Sequence, residues 1–364
     1  MDKAIIVGCD LHDEMLLIKV GVNKSASVQR TYANTASGRL AMCRFVEKLA
    51  KGEGGAKIYF AYEAGSQGFC LYDELKARKW NVSVLAPTRI ERSVQQRKQK
   101  MDPRDAERLL EILRGHVLAG NRLPTVWVPD PETRDDRELV RARLDVAKKA
   151  TVLKVQMGSL LKRSNCRKPE GVGKNWTKTH IAWLRGLTRA GSGLSLGARH
   201  TLASLLRQRD ALEKELASLD KSIAQLARES RYAAQVAALT SELGVAVLSA
   251  MVFLTEMGDL SRFKNRRQVG AYLGLTPACF ESGDTSKERK GHITHQGPAR
   301  VRKILCQSVW TRLGCDSDTM EAHARISDGK KGRRKIATVA LMRQLGIRLW
   351  RLGLAAQRQA AGAE

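Results

Sequence analysis

Apolar and polar positions follow two rhythms along this chain, and the change falls near residue 102. Before it, short apolar or β-rich runs at Ile5-Ile6-Val7-Gly8-Cys9, Met15 to Val22, Ser27 to Tyr32, Lys57 to Tyr62 and Val82 to Leu85 predict strands, the last stopped by Pro87. Leu40 to Leu49 and Gly68 to Lys79 carry helical spacing instead. Strands alternating with helices predict an α/β sheet. After Asp102 the chain turns helical: Arg104 to Leu118, then a connector from Leu123-Pro124 to Pro131, then Glu132 towards Leu161. From Thr201 to Ser230, Leu205, Leu212, Leu216, Leu219, Ile223 and Leu226 fall at heptad-like spacings with charged residues between them. That pattern fits one helix of a bundle or a strand of a coiled coil, antiparallel or intermolecular.

Further on, Leu239 to Pro277 reads as two short helices around Gly244, an acidic turn at Glu256 to Asp259 and a helix ending at Gly274. A glycine turn between helices can offer backbone N–H groups to a phosphate, and a plain helical pair explains it nearly as well. A basic helix start follows at Arg300-Val301-Arg302-Lys303, and a basic run at Lys330-Lys331-Gly332-Arg333-Arg334-Lys335 precedes a last helix, Ile336 to Leu352.

Charge changes this picture most. The 364 residues hold 64 Lys and Arg against 37 Asp and Glu, a formal net charge of +27, which attracts polyanions. The excess is uneven. Residues 151–200 carry ten Lys or Arg against the single Glu170, with Trp176 and Trp183 among them, whereas residues 1–110 contribute only +6. Aromatic rings among cations suit base stacking and phosphate contact, and the plain alternative is a solvated basic loop around a small core. Lys162, Arg163, Arg167, Lys168 and Lys174 are the candidate nucleic-acid contacts there, with Arg300, Arg302, Lys303, Arg333 and Arg334 further on. No apolar run is long enough to span a bilayer and the N-terminus turns acidic early, so the expected location is cytosolic.

Other chemistry is excluded on spacing. The seven cysteines are odd in number and scattered without a CxxC pair, which argues against a disulfide framework or a zinc ribbon. His292 and His295 lack partner ligands at metal-site spacing. Gly171-Val172-Gly173-Lys174 superficially resembles a phosphate loop, but Asn175 stands where Ser or Thr is required.

The carboxylates carry more. Asp10 follows the first apolar strand and Glu63 the Lys57 to Tyr62 strand, where an unpaired carboxylate is costly unless it meets a cation. Asp102-Pro103-Arg104-Asp105 opens a helix, with Asp102 placed to cap it and Pro103 at its first position. A capped helix explains that tetrapeptide by itself. Together, four carboxylates from two strand ends and one helix start can converge on two Mg²⁺ or Mn²⁺ ions that activate phosphodiester oxygens. Three successive strands followed by β-α-β units is also the order of a ribonuclease H-like layer.

The segments Val7-Gly8-Cys9-Asp10-Leu11-His12, Tyr62-Glu63-Ala64-Gly65, Asn81 to Pro87 and Lys100-Met101-Asp102-Pro103-Arg104-Asp105-Ala106 together resemble the RuvC-like DEDD domain of bacterial insertion-sequence transposases, the bridge-RNA-guided recombinases. The resemblance extends past Pro277. There Cys279-Phe280-Glu281-Ser282-Gly283-Asp284-Thr285-Ser286-Lys287 and Gly291 to Gly297 are similar to that family's second domain. It implies that Asp10, Glu63, Asp102 and Asp105 are the metal-binding quartet and that Ser282 is the nucleophile, with Ser286 and Thr285 as competitors. It further implies strand cutting and rejoining of double-stranded donor and target DNA, a structured guide RNA, a homodimer or tetramer, and a bacterial nucleoid location. The family's helix-hairpin-helix glycines are kept only at Gly244.

The expected fold class is thus α/β plus all-α. A RuvC-like domain would occupy 1–125, a helical coiled-coil-like linker with the basic insert 126–235, and a mainly helical transposase domain 236–364. Two rivals remain at this point: a metal-dependent junction nuclease in which Ser282 is structural, and a non-catalytic nucleic-acid-binding protein.

Overall fold

The computed structural model describes residues 3–90, 102–229, 231–279 and 290–362. They form two compact units, Met1–Val128 and Pro129–Glu364.

The first unit is built on a five-stranded sheet. Its strands are β1 (Ala4–Leu11), β2 (Met15–Val22), β3 (Val28–Ala33), β4 (Lys57–Glu63) and β5 (Asn81–Leu85), in the order β3-β2-β1-β4-β5. β1, β2 and β3 pair antiparallel, while β1–β4 and β4–β5 pair parallel. The apolar runs are long because β1 and β4 are covered on both faces. Ile5, Val7 and Cys9 of β1, with Phe60 and Tyr62 of β4, pack with Met42, Cys43 and Val46 of α1 (Ala36–Gly52) and with Leu71 and Leu75 of α2 (Cys70–Ala77). Ala4 and Ile6, with Ala61 of β4, face the other way onto Leu109, Leu110 and Leu113 of α3 (Asp102–Ala119). Alternation along a strand therefore assigns Gly8 and Asp10 of β1, and Glu63 of β4, to the α3 side.

The second unit is helical apart from a two-stranded hairpin. Its longest elements are α4 (Pro131–Arg163) and α6 (Leu196–Glu229), with the short α5 (Lys178–Gly186) between them. Asp130 caps α4, accepting from the Thr133 N–H at 2.7 Å, with Pro131 at the first helical position. The two long helices run antiparallel: Arg143 of α4 makes a two-pronged ion pair with Asp220 of α6 at 2.8 and 3.0 Å, and Leu153, Met157 and Leu160 share a core with Leu202 and Leu206. The heptad-like leucines thus include an intramolecular antiparallel pairing.

The remaining elements are α7 (Ala233–Thr240), α8 (Val247–Met257), α9 (Arg266–Tyr272), β6 (Pro277–Cys279), β7 (Lys290–Ile293), α10 (Ala299–Leu313), α11 (Ser317–Ser327) and α12 (Arg334–Ala361). They enclose a second core around α8, whose Met251, Phe253 and Leu254 are buried against Leu305, Leu345 and Leu349. The expected acidic turn at Glu256 to Asp259 is corrected here. Glu256 lies within α8 with its side chain 6% exposed, and Gly258, at φ 64°, ends the helix. Arg141 of α4 holds that carboxylate at 2.8 and 3.0 Å, and Arg137 donates to the Thr255 carbonyl at 2.8 Å.

Removing one partner of a buried pair leaves the other charge unsolvated. Arg141→Ala should therefore lower unfolding free energy by about 3 kcal/mol. Arg141→Ala with Glu256→Gln should recover much of that loss, as read by urea denaturation in a double-mutant cycle.

Candidate active site at the sheet ends

Because β1 and β4 run parallel with Cys9 opposite Tyr62, Asp10 and Glu63 stand one residue further on, at the same ends of neighbouring strands. Adjacent strands lie about 4.8 Å apart, and both carboxylates belong to the α3 side. The Asp10 side chain is 17% exposed, and its Oδ2 lies 3.0 Å from Nε2 of His12. Glu63 and His12 share a cleft of about 500 Å³ with Glu14, Ser66 and Gln67.

Gly8 brings the helix to them. A Cβ on Gly8 would lie 2.3 Å from both the Ala106 carbonyl oxygen and the Leu110 nitrogen, so α3 crosses β1 backbone against backbone. Asp105 sits beside Ala106 at that crossing, half-buried. Asp102 is the first residue of α3, and its side chain is outside the described residues. The structure thus places Asp10, Glu63 and the start of α3 on one side of the sheet. Among the described residues, no three Asp, Glu, His or Cys groups are close enough to hold a metal ion together. Asp10, Glu63, Asp102 and Asp105 are nevertheless hard oxygen donors of the kind Mg²⁺ and Mn²⁺ take. Cys9 points to the opposite face, where burial and then the Asp10 charge push its thiol well up, so it is inert.

In the second unit, β6 and β7 pair with Cys279 opposite Lys290, and the chain between them carries Ser282, Thr285 and Ser286. All three lie outside the described residues, as does Arg289. The base of this hairpin is closely fitted. Gly274, at φ 65°, and Gly297, at φ 80°, have no room for a Cβ, which would fall 2.0 Å from the Gln296 oxygen and 1.8 Å from the Tyr272 oxygen. Arg302 Nη1 donates to the Leu273, Gln296 and Gly297 carbonyls at 3.1–3.2 Å, and burial lowers its pKa. Arg302, assigned from sequence to nucleic acid, thus ties the end of α9 to the turn that precedes α10. The recipients are backbone carbonyls, which leave no signature in the sequence.

The other basic candidates are more open. Lys162, Arg163, Arg167, Lys168, Lys174 and Lys303 are exposed, and Arg300 meets Asp145 at 3.2 Å. Arg333 lies 3.5 Å from Asp328 just before Arg334 opens α12. The Gly244 turn packs on α10, its would-be Cβ 2.9 Å from the Ser308 oxygen, and the adjacent buried Glu242 is held by Arg312 at 2.5 Å and Arg348 at 2.6 Å.

Residues 7–165 match a DEDD transposase domain of the IS110 type, and residues 236–325 match the family described as Transposase IS116/IS110/IS902. The Sinorhizobium fredii protein y4qE, whose name describes it as a transposase, is 30% identical to 79% of this chain, over 70% of its own length. The chain belongs to the IS116/IS110/IS902 transposase family. The transposase of insertion sequence element IS1533 from Leptospira borgpetersenii is 27% identical, covering 85% of this chain and 86% of its own. A second Sinorhizobium fredii protein named as a transposase, y4rJ, is 27% identical over 96% of this chain and 91% of its own. This IS110-type transposase is accordingly an enzyme of insertion-sequence movement. No helix among its described residues is long and apolar enough to cross a membrane.

Proposed function

We propose that this transposase cuts and rejoins double-stranded DNA through a RuvC-like, ribonuclease H-like first domain and a serine of its second domain. The observation that carries the reading is the shared side of the sheet: Asp10 and Glu63 at neighbouring strand ends, with α3 packed down on the same side at Gly8. The sheet order β3-β2-β1-β4-β5, antiparallel then parallel, supports the RuvC-like assignment. The three-part division at about 125 and 235 belongs to the same proposal.

Asp10, Glu63, Asp102 and Asp105 would hold Mg²⁺ or Mn²⁺, which supplies Lewis-acid polarisation of the scissile phosphate. Ser282 supplies the nucleophile. Its hydroxyl gives up a proton as Oγ bonds to phosphorus, one deoxyribose oxygen–phosphorus bond breaks, and the departing oxygen takes a proton. The phosphoserine ester keeps the bond energy, so a hydroxyl from another strand can reverse the step and restore the serine. Arg300, Lys303, Arg333 and Arg334 would contact DNA backbone, with Arg302 holding the end of α9 to the turn before α10.

A structured guide RNA pairing with donor and target DNA supplies sequence choice, leaving the protein to read backbone shape, in a homodimer or tetramer working in the bacterial cytoplasm at the nucleoid. Sequencing the RNA that copurifies with freshly isolated protein tests the guidance. A single folded non-coding species with segments complementary to both DNA sites is expected; RNA-free protein that recombines its DNA sites at full rate would refute it.

A further inference from the structure

The aromatic residues of the basic insert line a cavity. Trp176, His180 and Trp183 border a cleft of about 170 Å³ with Gly158 of α4, Lys168 and Asn175. The His180 ring stands between the two indoles, its centroid 5.3 Å from one and 5.4 Å from the other. Nδ1 of His180 accepts the Trp176 backbone N–H at 3.1 Å, which leaves Nε2 as the ring's donor. Burial, and after it the Lys168 charge, pushes the His180 pKa down, so the ring stays neutral.

Two features are unexpected for a mere satellite core. Trp176 adopts φ 70°, a left-handed conformation uncommon for a bulky residue, and Lys168 braces the loop before it by bonding to the Gly173 carbonyl and, at 3.1 Å, to Asn175 Oδ1. Gly158 lies inside the last two turns of the 33-residue α4, where alanine would be the better helix former, yet a Cβ there would meet nothing beyond its own helical turn within 4 Å. Its missing side chain relieves no crowding inside the protein. What it provides is space in the cleft.

Near it in the chain Lys162, Arg167 and Lys174 are exposed, and Lys154 lies 5.6 Å from the Trp176 ring centre. A planar group with hydrogen-bonding edges, carried on a polyanion, matches these walls and this field. We propose that the cleft between α4 and the Trp176–Trp183 segment binds one unpaired nucleobase of a single strand, whose phosphates lie on the surrounding cations. A stacked base inside a duplex cannot enter it. The inference goes beyond the proposed strand chemistry and does not depend on Ser282.

The test uses full-length protein and fluorescence anisotropy with four labelled probes: mixed-sequence single-stranded RNA, the same sequence as DNA, a base-free deoxyribose-phosphate chain of that length, and duplex DNA. Gly158→Leu fills the opening and improves helix propensity, and circular dichroism against Gly158→Ala checks the fold. Wild type should bind base-bearing single strands about tenfold more tightly than the base-free chain, and Gly158→Leu should lose that preference while keeping duplex affinity and salt dependence. A loss confined to RNA, or to DNA, supports the proposal and names the source of the base. Equal binding of single strands by Gly158→Leu and wild type would overturn it, as would equal binding of base-bearing and base-free chains by wild type. Ser282→Ala should bind all four probes like wild type, so a failed strand chemistry leaves this result readable.

Discussion

Gly8→Ala should cost the transposase about 3 kcal/mol of stability and at least about a hundredfold in strand cleavage. The added methyl would sit 2.3 Å from two backbone atoms of α3, the Ala106 oxygen and the Leu110 nitrogen. Neither can swing aside as a side-chain tip would. The helix must lift from β1 or the strand must bend, and either movement displaces Asp105 relative to Asp10. Displacements near 1 Å are enough to cost about a hundredfold in an oriented reaction. Gly52→Ala is the matching control, since its Cβ meets nothing within 4 Å and its backbone is ordinary. Urea denaturation and single-turnover cleavage should separate the two variants clearly.

The carboxylates themselves should show the opposite balance. Asp10→Asn keeps the size of the side chain and an oxygen that can accept from His12, whose Nε2 lies 3.0 Å away, but removes the charge. Cleavage in Mg²⁺ should fall by at least about 10³-fold, far beyond any accompanying change in stability. Glu63→Gln and Asp105→Asn should behave alike. A drop in activity that merely tracked a drop in stability would place these residues in the scaffold instead.

Much of the first unit was legible in the sequence because β1 and β4 are buried on both faces, which turns them into nearly continuous apolar runs. Asp10 and Glu63 stood out because each follows such a run. Gly8 did not, since a close backbone approach has no hydrophobic signature and its partner, α3, lies about a hundred residues on. The same limit explains Glu256. Beside Gly258 and Asp259 it looks like part of a polar turn, and only Arg141 on α4 makes its burial tenable. In the basic insert, the two tryptophans were visible and the cleft was not, because its space comes from Gly158 on the preceding helix. Arg302 holds a structural role that its basic cluster does not reveal, since its Nη1 serves three carbonyls.

If the sheet-end carboxylates and Ser282 together perform strand exchange, a covalent protein–DNA intermediate must form. A suicide DNA substrate, labelled and cut so that the displaced strand diffuses away, tests it directly on denaturing gels with Mg²⁺ present. Wild-type protein should accumulate a covalent protein–DNA adduct that yields phosphoserine from position 282, Ser282→Ala should form none, and Asp10→Asn should form about 10³-fold less. Undiminished cleavage and joining by Ser282→Ala, or by Asp10→Asn, would show that strand exchange proceeds without that residue.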